Sequence, residues 1–285
     1  MLKIKFALAA LAFVVGSTTL AHADVVLVQE DFSGAAGTSL NGVTPTIGLG
    51  TNFIANSAFS ADGTADLGGN SLAFLDIGNV INSASGTADG LFELTVTVDV
   101  EGAPVGNANG FLSIGFGQNS TPNINTNFIS NNNGVGTIIL RASGEIDSFA
   151  GNGFTNLGAD SAGANVIDGP NLPPATRTIT VQLDLTEANG TTDFGTVNFI
   201  DSVEGSVGSF NFNNTSFVTP GGVTVTPTQP NFDSIILSGN TGTVGSFSDL
   251  TLTQIHADVA VPEPGSLALL GLGSVLMVAR RRKNG

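Results

Sequence analysis

The clearest pattern in the chain is an alternation of apolar and polar positions. Between Leu91 and Val100, Phe92, Leu94, Val96, Val98 and Val100 alternate with Glu93, Thr95, Thr97 and Asp99. Successive side chains of a strand point to opposite faces, so this period of two predicts a strand with one buried and one wet face. Thr178 to Leu185 repeats it, with Ile179, Val181, Leu183 and Leu185 inward. Further strands are predicted at Val25–Val28, Leu72–Ile77, Phe111–Phe116, Gly136–Arg141, Thr196–Ile200, Phe232–Ser238 and Phe247–Thr253. Turn-forming clusters such as Asn131-Asn132-Asn133-Gly134 and Asn240-Thr241-Gly242 separate them. Gln118–Gly134 and Gly151–Pro174 read as long insertions. No sustained 3.6-residue period appears in the body, and 38 glycines disfavour long helices. The predicted fold is all-β, an antiparallel β-sandwich or jelly roll whose strands each keep one polar face.

The two ends follow different rules. Lys3 and Lys5 precede the apolar run Phe6–Val15, and Ala21-His22-Ala23 is a small-x-small cleavage site. Residues 1–23 therefore read as a secretory signal peptide, removed by signal peptidase to leave Asp24 first. At the other end, Pro262 and Pro264 hold Val261 to Gly265 extended. Ser266 to Ala279 is then uncharged and apolar, and Arg280, Arg281, Arg282 and Lys283 follow at once. Such cations stay on the cytoplasmic side of a bilayer. Fourteen residues of helix span about 21 Å at about 1.5 Å each, short of a hydrocarbon core of about 30 Å. A single hydrophobic helix of that length suits a transient inner-membrane anchor. The predicted layout is a signal peptide (1–23), a β-sandwich (24–256), and a linker with a sorting segment (257–285).

Val261-Pro262-Glu263-Pro264-Gly265-Ser266, the apolar helix and the Arg-rich end together resemble the PEP-CTERM sorting signal. The resemblance implies recognition and processing by an exosortase, a membrane cysteine protease of Gram-negative bacteria that usually also make extracellular polysaccharide. It implies export across the inner membrane to the cell surface or the extracellular matrix, with exopolysaccharide or biofilm as the setting. The Leu-Pro-x-Thr-Gly signal of Gram-positive sortases is absent.

Charge narrows the partners. Of eight Lys and Arg, only Arg141 and Arg177 lie outside the two end segments, whereas all 23 acids lie between Asp24 and Glu263. Residues 24–264 thus carry 2 − 23 = −21. A nucleic-acid backbone needs clustered cations, so nucleic acid is excluded as a partner. No cysteine is present, which rules out disulfides and thiol catalysis. His256 is the one histidine left after residue 23, too few for a zinc site or for a Ser-His-Asp triad with a structured base.

Glu30-Asp31-Phe32-Ser33-Gly34, followed by Gly37-Thr38-Ser39-Leu40-Asn41-Gly42 and Pro45, resembles the opening of concanavalin-like or laminin-G-like jelly rolls of secreted bacterial proteins. Those domains usually carry a Trp soon after, where this chain has Asn52-Phe53. The resemblance implies that a late strand, here Phe247–Thr253, pairs near the first. It also makes Asp31 and Asp249 candidate calcium ligands, the only cofactor the sequence suggests. Family members include lectins, glucanases and adhesive modules. Concanavalin-like glucanases carry Glu-x-Asp-x-x-Glu or Glu-x-Asp-x-Glu on one strand. Here Glu145-Ile146-Asp147 is followed by Phe149 and Ala150 where the second Glu would stand. A retaining glycosidase needs its two carboxyl groups about 5–5.5 Å apart, so the acid/base partner is missing and no catalytic residue is assigned. Sugar-stacking Trp and Tyr are absent, and most of the nineteen Phe fall at inward positions. Exposed Phe among Asn-rich loops, such as Phe128, remain able to stack on a sugar. Sequons at Asn119, Asn189 and Asn213 are expected by chance in so Asn/Thr-rich a chain. The sequence thus predicts an exported, non-enzymatic surface or matrix protein. A carbohydrate-binding, lectin-like module is the alternative, and a glycoside hydrolase a remote one.

Overall fold

Alternation in the sequence becomes two layers in the computed structural model. The structure describes residues 23–65, 71–102, 110–118, 134–141, 146–149, 165–168, 176–218, 224–240 and 244–256. Asp24–Ile255 forms one compact unit, and Met1–Ala23 with His256–Gly285 is a second.

The first sheet has seven strands. Six run in the order β1 (Val25–Glu30), β16 (Val244–Ile255), β5 (Leu91–Gly102), β10 (Thr176–Asp184), β11 (Asp193–Asp201) and β12 (Gly205–Asn213). The short β3 (Thr64–Ala65) adds to β16. The second sheet runs β2 (Phe53–Ala55), β4 (Ser71–Asp76), β15 (Ser234–Asn240), β6 (Phe111–Gly117), β7 (Gly134–Arg141), β8 (Ile146–Phe149) and β9 (Asn165–Asp168). Every pairing in both sheets is antiparallel. A two-stranded ribbon, β13 (Phe217–Val218) with β14 (Thr224–Val225), and one turn of helix, α1 (Val80–Ser83), complete the described elements. The all-β antiparallel sandwich stands as predicted, and the last strand does lie against the first, with Val25 opposite Gln254 and Glu30 opposite Leu250.

Between the sheets lies one apolar core. Phe92, Leu94, Val96 and Val98 of β5 and Ile179, Val181 and Leu183 of β10 are fully buried, while the residues between them are half-exposed. From the second sheet come Ala73, Leu75, Leu112, Ile114, Phe116, Ile138, Leu140, Ile235 and Leu237. Rings bridge the layers: Phe232 meets Phe116 edge-on at 6.2 Å and Phe212 of β12 at 5.4 Å. Such edge-to-face pairs favour the ring quadrupoles. Near β3, Phe59 stacks on Phe247 at 5.6 Å. Gly63 is required there: its φ is +76°, and a Cβ would run into the carbonyl oxygen of Phe247. The β10–β11 turn is built by Asn189, whose Oδ1 accepts from the backbone N–H of Thr191, Thr192 and Asp193 at 2.8–3.1 Å.

Two features depart from the sequence reading. First, β12 and the short strands β2, β3, β9, β13 and β14 were not predicted, and β9 lies inside the supposed Gly151–Pro174 insertion. Second, the middle of the second sheet has no exposed face. Leu72, Phe74, Phe111, Ile139 and Ile236, on the side away from the main core, form a second buried cluster. Ser71, Ser113, Thr137, Ser234 and Ser238 are buried as well.

Arg177, one of the body's two cations, is also internal. It occupies an inward position of β10, is 5% exposed, and its Nη1 donates to Oδ2 of Asp201 at 3.1 Å. Oδ1 of Asp201 accepts from the N–H of Val203 and Glu204, at 2.7 and 3.2 Å, so the same carboxylate closes the β11–β12 turn.

Candidate functional site

At one end of the second sheet the chain gathers polar side chains from three distant segments. Asp76 ends β4, and its neighbour in register, Ser234, begins β15. Asp233 immediately precedes it, and its backbone is fixed on both sides: its N–H donates to Gly117 at 3.0 Å, and its carbonyl accepts from Ile77 at 2.9 Å. Asn231 Nδ2 donates to Asp233 Oδ2 at 2.8 Å. From α1, Asn82 donates through Nδ2 to Asn231 Oδ1 at 2.6 Å and accepts from the N–H of Phe232 at 3.0 Å. Thr51 donates to the Asp76 carbonyl at 2.5 Å, and the Asp76 carboxylate accepts from Gly78 N–H at 2.7 Å.

Asp233 stands out electrostatically. The residue is 8% exposed, yet its Oδ1 has no hydrogen-bond partner. Burial pushes its carboxyl above the ordinary aspartate range and the Asp76 charge adds to this, while the Ser234 side chain pulls the other way. A buried acceptor without a donor costs stability and is a frequent mark of a place where another group binds. An acceptor-rich end of this kind can receive hydroxyl donors.

The sequence-predicted positions fall elsewhere. With Glu30 opposite Leu250, Asp31 and Asp249 lie at the end of the β1–β16 ladder, where both are exposed. Hydrogen bonds from Ser33 hold the Asp31 carboxyl below the ordinary aspartate value. Asp249 has φ of 52° in a bulge of β16 against β5. Calcium takes six to eight oxygens; two exposed carboxylates do not fit that demand alone. Among the described residues no group of three or more acids and histidines gathers elsewhere. Glu145, Phe128, Ala21 and the whole segment Val261–Arg282 lie outside the described residues. Asp147 is on β8, opposite Ile139 and Asp168. His256 is half-buried just after β16. Sequence reasoning missed Asp76, Asn82, Asn231 and Asp233, because each taken singly looks like an ordinary turn residue.

No curated protein matches this sequence. Among solved structures, the metal-free exoplasmic/lumenal domain of VIP36 is similar at 11% identity and a TM-score of 0.45, over 82% of this chain and 92% of that one. The potassium-bound carbohydrate recognition domain of Emp46p is similar at 12% identity and a TM-score of 0.38, over 66% of this chain and 79% of that one. The Emp47p carbohydrate recognition domain gives 12% identity and 0.40, over 77% and 95%. Among the described residues no helix is long and apolar enough to cross a membrane. Residues 260–283, beginning five positions after the last strand ends, match the PEP-CTERM protein-sorting motif, so the chain carries the signal of an exosortase-processed, exported protein.

Proposed function

We propose that this chain is a non-enzymatic protein of the cell surface or extracellular matrix. It is exported through its N-terminal signal, cut by signal peptidase after Ala23, held briefly in the inner membrane of a Gram-negative bacterium, and processed by an exosortase near Pro262-Glu263-Pro264. Its working part is the sandwich of residues 24–256, and its setting is exopolysaccharide. The observation that carries this reading is the sorting motif at 260–283, placed directly behind the last strand of a folded body. A non-enzymatic role is supported by the sequence after Asp147, where Phe149 and Ala150 replace the second Glu of a glucanase strand. Intact-mass analysis in the producing host, with and without its exosortase, tests the processing. Co-fractionation of the processed protein with the host's exopolysaccharide tests the setting. Material ending at Gly285 in the exosortase-bearing host overturns the first, and protein found wholly free of polymer overturns the second.

A second reading is a carbohydrate-binding module, favoured by the partnerless buried Oδ1 of Asp233 beside Asp76 and two amides. Glycan-array binding that is lost in both Asp76→Asn and Asp233→Asn supports it. Binding unaffected by either removes this site from consideration.

A further inference from the structure

The outer face of the first sheet carries a row of polar residues that crosses five strands in register. Thr253 of β16, Glu93 of β5, Gln182 of β10, Asn198 of β11 and Ser209 of β12 are successive neighbours. Their inward neighbours Phe92, Leu94, Val181, Leu183, Val197 and Phe199 are buried in the core, which sets the row on the opposite side. Three of its members form a directional chain: Asn198 Nδ2 donates to Gln182 Oε1 at 3.2 Å, and Gln182 Nε2 donates to Glu93 Oε1 at 2.9 Å. Each amide keeps a second N–H, and Glu93 Oε2 and Asn198 Oδ1 remain as acceptors. The adjacent row, Thr251, Thr95 and Thr180, is neutral, with the two hydroxyls of Thr95 and Thr180 3.3 Å apart.

Polar side chains on a sheet exterior ordinarily face only water. Here the planar groups are locked by one another, so a ligand meets them with little further ordering cost. Strands lie about 4.8 Å apart, so five of them present polar groups over about 19 Å. The spacing between neighbouring strands is close to the length of one pyranose residue in an extended chain, so successive sugars laid across the strands meet successive members of the row. Charge selects within polysaccharides. The rows contain a carboxylate and no cation, on a body of net −21 (2 − 23, residues 24–264), which repels polyanions and leaves uncharged polymers.

We propose that this row is a platform for an extended, uncharged polysaccharide running across the strands of the first sheet. The proposal rests on the exopolysaccharide setting and names the face that serves it, away from the Asp76–Asp233 end.

Affinity gel electrophoresis of the processed protein, purified from its exosortase-bearing host, tests it. Gels contain hydroxyethyl cellulose, laminarin, dextran or alginate. The expected result is retardation by at least one uncharged glycan and none by alginate. Gln182→Thr/Asn198→Thr, which keeps good strand formers at both positions, weakens that retardation at least tenfold with an unchanged melting temperature. Val203→Ser, in an exposed turn, behaves as the parent. Should the double variant melt early, Gln182→Thr alone is read, with an expected loss of at least threefold. Retardation retained in the folded row variants overturns the platform. So does an unretarded parent in every uncharged glycan. A parent that still co-fractionates with the host's exopolysaccharide while the row variants do the same leaves the setting intact and removes only this face.

Discussion

Removing the charge of Asp201 is expected to destabilise the sandwich more than any other single-atom change in the first sheet. Arg177 and Asp201 are 5% and 0% exposed and 3.1 Å apart. At an effective dielectric of about 20, two unit charges at that distance attract by about 5 kcal/mol. Desolvation takes back much of this gain, but removing one member of a buried pair costs about 3–5 kcal/mol. Asp201→Asn keeps an Oδ1 acceptor for Val203 and Glu204 and loses the ion pair, so a loss of about 3–4 kcal/mol is expected. Asp201→Ala also frees the two turn N–H groups, worth about 1 kcal/mol each. Arg177→Met/Asp201→Asn, which removes both members of this pair, should cost about 1–2 kcal/mol, less than Asp201→Asn alone. With no Trp or Tyr for fluorescence, urea unfolding is followed by far-ultraviolet circular dichroism. Asp201→Asn within 1 kcal/mol of the parent, or a double variant as costly as the sum of its singles, refutes the reasoning.

Three further outcomes are expected. Val96, fully buried opposite Ile179, should tolerate Asp badly, losing about 3 kcal/mol or more, while Thr95→Asp on the outer face costs under about 1 kcal/mol; equal tolerance would show a wrong register. Asp233 has its carboxyl raised by burial, so the folded state holds a proton that the unfolded chain has released. Stability should therefore fall as pH rises from about 4, and Asp233→Asn should flatten that slope and raise the melting temperature at pH 7; an unchanged slope argues against the assignment. In an exosortase-bearing host, Glu263→Ala should accumulate as a precursor of higher intact mass that sediments with membranes, and normal processing of this variant would sink the role given to Pro-Glu-Pro.

How far the fold was legible depended on what each strand buries. β5 and β10 sit in a sheet with one wet face, so Thr95, Thr97, Thr178 and Thr180 mark the register by interrupting the apolar positions. In β4 both faces are covered: Ala73 and Leu75 enter the main core while Leu72 and Phe74 enter the second cluster. A continuous apolar run of that kind carries no period, and the sequence reading gave it a polar face it lacks. β12 escaped because Gly205, Ser206, Gly208 and Ser209 resemble turn chemistry, and its clearest inward anchor is Phe212. The Asp76–Asp233 end was hidden by distance. Asn82 and Asn231 are 149 positions apart, and only the pairing of β4 with β15 brings their neighbourhoods together. The sorting motif was legible in the sequence, because a linear peptide signal needs no partner from elsewhere in the chain.

The pairing of β1 with β16 also sets a clock. Of the described strands β1 is the first in the chain and β16 the last, and β16 lies between β1 and β5. Until residues 244–255 arrive, β1 has only the single bridge between Gln29 and Ile47, and β5 keeps an open edge. Strand pairing over such a separation is slow, because the closure entropy of the whole loop is met before any contact forms. The sorting motif begins at residue 260, a few positions behind the closing strand. The closing strand and the sorting motif therefore lie within a few residues of each other in the chain. A chain truncated before residue 244 would hold neither a closed sheet nor a sorting motif.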